Sequence, residues 1–271
     1  MNRGHSLSTE VKAYLPWHQA RINFLSQFLI ALIQVRTVNL TEIALAFSGQ
    51  AQANSAYKRL QRFFRHFELD FDQLARVIVR WLDLGERWIL CLDRTNWQFG
   101  QFKINILVLS VAYRGAAVPL FWTLLDKKGN SSTAERIELM QRFLKVFPRE
   151  RIQCLTADRE FRGQKWLKFL IAEHIPFRLR IPNNTRTNNK HRNTKIPESR
   201  LFALRRHETM TLNKPRSIWG VSVYLSCVRS AEEHVIIATD HAPATALADY
   251  RRRWEIETLF ACLKTRGFNL E

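Results

Sequence analysis

The amino-acid sequence predicts an α/β fold: a helical N-terminal region, a mixed sheet with crossover helices, and a β-rich insertion before a last helix. Three observations predict it. Up to about Trp81, apolar residues recur at helical spacing with few β-branched runs. From Arg87 the pattern changes to short apolar runs bounded by turn signals and alternating with helical stretches. Arg178 to Arg216 is basic and turn-rich, and strand-like runs follow it before a helical segment opens at Pro243. The expected boundaries are 1–85 for the helical region and 86–271 for the sheet domain, interrupted by an insertion over 182–240.

Within the helical region, Phe24, Leu25, Phe28, Leu29 and Leu32 form one apolar stripe. Asn39 to Phe47 reads as a short helix with a capping residue and an acidic first turn, broken by Ser48-Gly49. A second helix starting near Ser55 carries Lys58, Arg59, Arg62 and Arg65 beside Leu60, Phe63, Phe64 and Phe67. That pair matches a helix-turn-helix offering Lys58, Arg59 and Arg62 to DNA. It matches equally a helical hairpin with a solvated cationic face.

The strands follow. Trp88 to Leu92 is a buried strand ending at Asp93. Ile104–Tyr113 and Ala117–Leu125 form a hairpin, because Arg114-Gly115 is a turn signal; the same turn excludes a membrane span over this run. Ser131 to Glu135 resembles a capping box and opens a helix running to Phe147. Ile152–Thr156 is a strand ending at Asp158, Lys165–Ile175 is helical, and Phe177–Ile181 is again a strand. Ile218–Val228 and His234–Thr239 complete the set. A three-stranded meander followed by α/β crossovers is the order of an RNase H-like mixed sheet.

Composition narrows the function. With 46% apolar residues over 271 positions, the chain is globular and not a disordered tail. Forty-two Lys and Arg against 24 Asp and Glu give a net charge of +18, which favours a polyanionic partner through counterion release. Arg178 to Arg216 concentrates eleven of these cations against Glu198 and Glu208, a density suited to gripping a phosphate backbone. A flexible basic loop would share that composition, but Trp219 and Tyr224 in the following strand argue for an ordered element. The four cysteines are scattered, without CxxC or zinc spacing, and point to a reducing compartment. Met1–Glu10 has no signal-peptide apolar stretch, so the expected location is the cytoplasm, at the nucleoid and away from membrane.

The chemistry rests on acids. Asp93 and Asp158 each end a strand, and ligands of open α/β sheets gather at the carboxyl ends of strands. Counting back by two places Cys91 below Asp93, and Thr156 and Cys154 below Asp158. Two neighbouring carboxylates repel unless a cation lies between them, and an all-oxygen donor set suits Mg²⁺ or Mn²⁺. The last helix, expected over Pro243 to Arg266, supplies a third acid. Tyr250, Arg253, Glu257 and Lys264 share an arc of about 60°, whereas Glu255 faces elsewhere. Such a stripe presents a metal ligand among phosphate-binding groups, or forms a surface face with an Arg253–Glu257 i,i+4 pair. Spacing alone fits both.

Tyr250-x₂-Arg253-x₃-Glu257-x₆-Lys264 resembles, at every spacing, the Y-R-E-K signature of the insertion-sequence-4 group of bacterial DDE transposases. Asp93-Arg-Thr-Asn-Trp97 and Asp158-Arg-Glu-Phe161 are similar to that group's first and second acidic blocks, and the likeness covers Arg87 to Glu271. The resemblance implies a catalytic metal triad of Asp93, Asp158 and Glu257, with Tyr250, Arg253 and Lys264 on phosphates near the cleaved end. It implies two Mg²⁺ or Mn²⁺ ions ~4 Å apart in the site. Hydrolysis then frees a 3′-OH at the transposon end, which attacks the opposite strand to form a hairpin, or target DNA. The implied partners are double-stranded DNA (transposon ends and target) and a second copy in a homodimeric synaptic complex. Group members insert a β-rich segment between the second Asp and the Glu that stacks a flipped base on an aromatic residue, for which Trp219 is the candidate. The chain stops at Glu271, seven residues after Lys264, where relatives continue into a helical pairing region. A C-terminally truncated copy with its metal site retained is therefore expected.

Two other readings compete. One is a non-catalytic DNA-binding protein derived from a transposase, its acids relics. The other is an RNase H-like nuclease acting on RNA hybrids, against which the stripe around Glu257 argues.

Overall fold

Apolar periodicity and side-chain caps set the helices of the N-terminal residues in the computed structural model, which describes 3–47, 53–189, 194–197 and 202–268. The chain divides into two units, Met1–Asp83 with Phe260–Glu271, and Leu84–Leu259. In the first lie α1 (Arg3–Tyr14), α2 (Gln19–Val35), α3 (Leu40–Ala46), α4 (Ala53–His66) and α5 (Phe71–Leu82). Asn39 caps α3 by accepting from the Thr41 N–H at 3.0 Å, and Asp70 caps α5 by accepting from Asp72 and Gln73. Phe24, Ala31, Ile43, Phe47 and Leu60 form a buried cluster, with Phe28, Leu32 and Phe63 packed against it. The expected apolar stripe of α2 divides: Phe24, Phe28 and Leu32 enter this cluster, whereas Leu25 packs on Val11, Leu15 and Ile22. The Ser48-Gly49 break expected between α3 and α4 lies outside the described residues.

The second unit is built on one ten-stranded sheet of order β3-β2-β1-β4-β5-β10-β9-β8-β6-β7. β1 (Trp88–Phe99), β2 (Phe102–Tyr113) and β3 (Ala116–Leu125) form an antiparallel meander. Arg114 (φ 51°) and Gly115 (φ 90°) turn β2 into β3. Two successive positive φ angles match the twist of the flanking strands, which is why glycine stands second. α6 (Thr133–Val146) crosses over to β4 (Ile152–Ala157), parallel to β1, and α7 (Gln164–Ala172) crosses to β5 (Phe177–Ile181), parallel to β4. A meander followed by two parallel crossovers is the RNase H-like arrangement. The expected capping box opens α6: Ser132 Oγ accepts from the Glu135 N–H while the Glu135 carboxylate accepts from the Ser132 N–H.

The stretch expected as an insertion extends this same sheet. β8 (Thr209–Ile218), β9 (Val221–Arg229) and β10 (His234–Thr239) join it through antiparallel β10–β5 pairing. Beyond them β6 (Arg186–Asn189) and β7 (Thr194–Pro197) pair with each other. The expected single strand Ile218–Val228 is in fact the end of β8, a Trp219-Gly220 tip, and β9. Pro215 is tolerated in β8 because the register shifts between Leu212 and Arg216.

The two faces of β1 carry different neighbours. Trp88 packs edge-on to Phe143 and Phe147 at the α6 side. Cys91, three residues on and therefore on the opposite face, lies 3.7 Å from the Arg252 carbonyl. That second face is covered by α8 (Ala246–Arg251), which packs on β4, β5, β9 and β10, and the chain runs on through Arg252-Arg253 into α9 (Trp254–Ala261). The helix expected to run unbroken from Pro243 to Arg266 is therefore interrupted. At Arg252-Arg253 the backbone makes short three-residue bonds, Arg253 N–H to Tyr250 O and Ile256 N–H to Arg253 O, and a π-helical turn follows at Cys262–Arg266. Among the described residues no helix is long and apolar enough to cross a membrane.

Candidate active site

Asp93 does not end its strand as the sequence suggested. β1 continues to Phe99 because β2 pairs with it throughout, but its parallel partner β4 stops at Ala157, opposite Leu92. Asp93 and Asp158 are thus the first residues past the shared pairing, on strands about 4.8 Å apart. The period of two holds below them: Thr156 Oγ1 lies 3.5 Å from Cys91 Sγ. Both carboxylates point to the face that α8 covers.

The interrupted helix sets three side chains against them. Arg253 Nη1 donates to Asp93 Oδ2 at 3.0 Å, and its Nη2 donates to Glu257 Oε1 at 2.7 Å. The Tyr250 hydroxyl donates to Asp158 Oδ1 at 3.4 Å, and its ring lies 5.7 Å from the Arg253 guanidinium. Tyr250 and Arg253 are both almost fully buried. The i,i+4 pair and the meeting of acids are therefore one arrangement, a single guanidinium joining Asp93 to Glu257. Glu255 turns away to Arg252, 2.8 Å distant.

Burial pushes the Asp93 carboxyl up to about 6, and Glu160 and Asp158 add to that rise. The Arg94 N–H, 2.7 Å from Asp93 Oδ1, and the Arg253 guanidinium oppose it. Burial alone would lower the Arg253 pKa, but Tyr250, Glu257 and Asp93 outweigh it and hold the guanidinium charged. Burial likewise raises the Tyr250 hydroxyl to about 12, so it remains a donor at neutral pH.

This donor set fits a hard divalent cation. Its ligating atoms are carboxylate oxygens, and Asp93 is a half-buried carboxylate whose charge its acidic neighbours disfavour and a cation would favour. Among the described residues no three His, Cys, Asp or Glu side chains already stand as one metal-binding group. The Arg253 guanidinium is the countercharge between Asp93 and Glu257.

Other members of the site went unnoticed in the sequence. Arg180 on β5 lies 3.6 Å from Asp158 and also pairs with Glu233, which Arg159 and Asn183 approach. Arg178, two residues earlier on the same face, is buried and bonded to Asp249 at 3.0 Å and to Thr239. The available signal was the alternation Phe177-Arg-Leu-Arg-Ile181, two cations at strand period on a buried strand. Arg94 braces the other flank, with Asn96 at 3.0 Å, Asn105 at 3.1 Å and Glu160 at 3.5 Å.

The structure thus brings together Asp93, Asp158, Tyr250, Arg253 and Glu257. Lys264 lies on the π-turn, and Lys58, Arg59 and Arg62 on α4, all in the other unit. Trp219, half-buried, forms the β8–β9 tip with φ 49° followed by Gly220 at φ 76°. A Cβ on Gly220 would come within 2.7 Å of the Gln164 side chain, so this tip rests on the start of α7. Cys91, Cys154 and Cys227 are buried thiols, pushed up to about 12 by burial.

Residues 84–271 match the family described as "Transposase DDE domain". No match was found among curated proteins. Of solved structures, the chain is similar to one from the cryo-EM structure of the piggyBac transposase synaptic complex with hairpin DNA, at 11% identity and a TM-score of 0.49. The match covers 92% of this chain and 59% of that one, so the chain spans about three-fifths of that relative's length.

Proposed function

The chain belongs to the transposase DDE domain family, and on that premise we propose that it cleaves transposon ends and transfers the cut strand, with Asp93, Asp158 and Glu257 as its catalytic acids. The observation that carries this reading is that Arg253 joins Asp93 to Glu257 at one sheet end while Tyr250, three residues earlier, donates to Asp158 beside them. The Y-R-E-K spacing supports placement in the insertion-sequence-4 group. Asp93, Asp158 and Glu257 would hold two Mg²⁺ or Mn²⁺ ions. Bound there, the ions supply Lewis-acid activation of the attacking and leaving oxygens.

The chain's own residues do the rest. Arg253 and Tyr250, already donors to the acids, are placed to turn those donors to the phosphate being cut, and Lys264 adds a third phosphate contact. Trp219 stacks a base drawn out of the duplex. Its place at the tip of the two-residue β8–β9 turn, half-buried and outside the core, supports this. Lys58, Arg59 and Arg62 contact DNA from α4, and the working assembly is a homodimer on two transposon ends.

The test is nicking of duplex DNA that carries the inverted repeats flanking the reading frame. Mg²⁺-dependent 3′-end nicking is expected, lost with chelator and lowered at least 10³-fold in Asp158→Ala or Glu257→Gln. The acid-free cationic face of α4 would serve equally a second reading, a DNA-binding protein derived from a transposase and without catalysis. Binding without nicking under Mg²⁺ or Mn²⁺ would select that one.

A further inference from the structure

The helical unit contains an open cleft of about 450 Å³ between α2 and α4. Its floor is aromatic, made by Phe24, Phe63 and Phe67; its rim carries Arg21 from α2 and Arg59, Arg62 and His66 from α4. The composition of α4 explains the division. Lys58, Arg59, Arg62, Arg65 and His66 fall within an arc of about 120°, with Ala56, Leu60, Phe63 and Phe67 opposite, and the helix has no acid. Among the described residues no carboxylate pairs with Arg21, Arg59 or Arg62.

The arginines are not loose. The Arg21 guanidinium stacks 4.7 Å from the Phe67 ring centre, and that of Arg59 lies 5.2 Å from the Phe24 ring centre. Stacking engages the face of a guanidinium and leaves its in-plane N–H donors at the edge, the geometry that grips two phosphate oxygens at once. An aromatic seat also removes rotamer freedom before a ligand arrives, so less is lost on binding. Two seated guanidiniums on neighbouring helices, without a carboxylate between them, form a preorganised anion cradle.

We propose that this cleft holds a backbone phosphodiester of duplex DNA, with Arg21 and Arg59 as its paired donors and Phe67 and Phe24 as their seats. The inference rests on the reading of the chain as a DNA-acting protein. It adds Arg21, which lies on a different helix from the cationic face of α4.

Fluorescence anisotropy of the full chain on a labelled 30-base-pair duplex, with chelator present and salt varied from 50 to 300 mM, tests it (about three helical turns, a length chosen to exceed one contact patch). Arg21→Gln is expected to weaken binding roughly tenfold and to lower the slope of log K against log salt by about 0.9, one phosphate contact. Arg21→Lys should recover the slope but only part of the affinity, because an ammonium lacks the bidentate edge. Arg21 is exposed, so the fold is unaffected, and unchanged thermal melting checks this. Unchanged affinity and slope in Arg21→Gln would overturn the proposal. So would calorimetric binding of inorganic phosphate that depends on Arg21 while duplex affinity does not, the mark of a free-phosphate site. Nicking retained with Arg21-independent binding sinks the cleft alone; Arg21-dependent binding without nicking sinks the transposase reading and leaves the cleft standing.

Discussion

Asp93 shows at the scale of one residue how a site is held in tension. Burial raises its carboxyl from 3.8 to about 6 despite the Arg94 N–H and the Arg253 guanidinium. A raised carboxyl pKa means that the folded state binds the proton more tightly than the unfolded state does. Stability contributed by the neutral form is therefore present at low pH and lost as pH climbs from about 4 through 6. Such a rise corresponds to about 3 kcal/mol at neutral pH. Asp93→Asn cannot lose a proton, so in chelator its melting temperature should exceed the parent's at pH 7.5 and approach it near pH 4. A gap independent of pH would show that Asp93 does not carry this strain. Arg253 belongs to the same argument, since it neutralises Asp93 and Glu257 together at 3.0 and 2.7 Å.

At the scale of elements, α8 decides where Tyr250 and Arg253 stand, and Arg178 ties α8 down. The Arg178–Asp249 pair, 3.0 Å long and deeply buried, joins β5 to the helix one residue before Tyr250. Breaking such a pair from one side strands a buried charge at about 3–5 kcal/mol. Arg178→Met should therefore lower stability in urea by about that amount, and adding Asp249→Leu should restore most of it; purely additive losses would contradict the coupling. Much of this element-level design was readable in the sequence. The β2–β3 turn followed from Arg114-Gly115, the α6 capping box from Ser132 and Glu135, and β10 from a compact apolar run. The break at Arg252-Arg253 was not, because Tyr250-x₂-Arg253 fits an unbroken helix as well as a tightened turn. Nor was β8, where Pro215 and four polar neighbours hide a strand that only its bulge permits.

Over the whole molecule, the architecture was legible in the sequence, while the contacts among the candidate acids appear only in the structure. Asp93, Asp158 and Glu257 are read off as strand and helix positions, but the joining of Asp93 to Glu257 by Arg253 and the Arg180–Glu233 flank are products of packing across 160 and 53 residues. Neighbouring carboxylates repel unless a cation lies among them; Arg253 fills that place between Asp93 and Glu257, and on the proposed function a divalent ion shared with Asp158 would join it. That convergence is the central claim, and iron can report it directly. Fe²⁺ substituted for Mg²⁺, with ascorbate and peroxide, cuts a polypeptide only next to the bound ion. The account predicts fragments ending near residues 93, 158 and 257, suppressed by excess Mg²⁺ and absent in Asp158→Ala. Cuts scattered along the chain, or clustered at only one of the three acids, would contradict it.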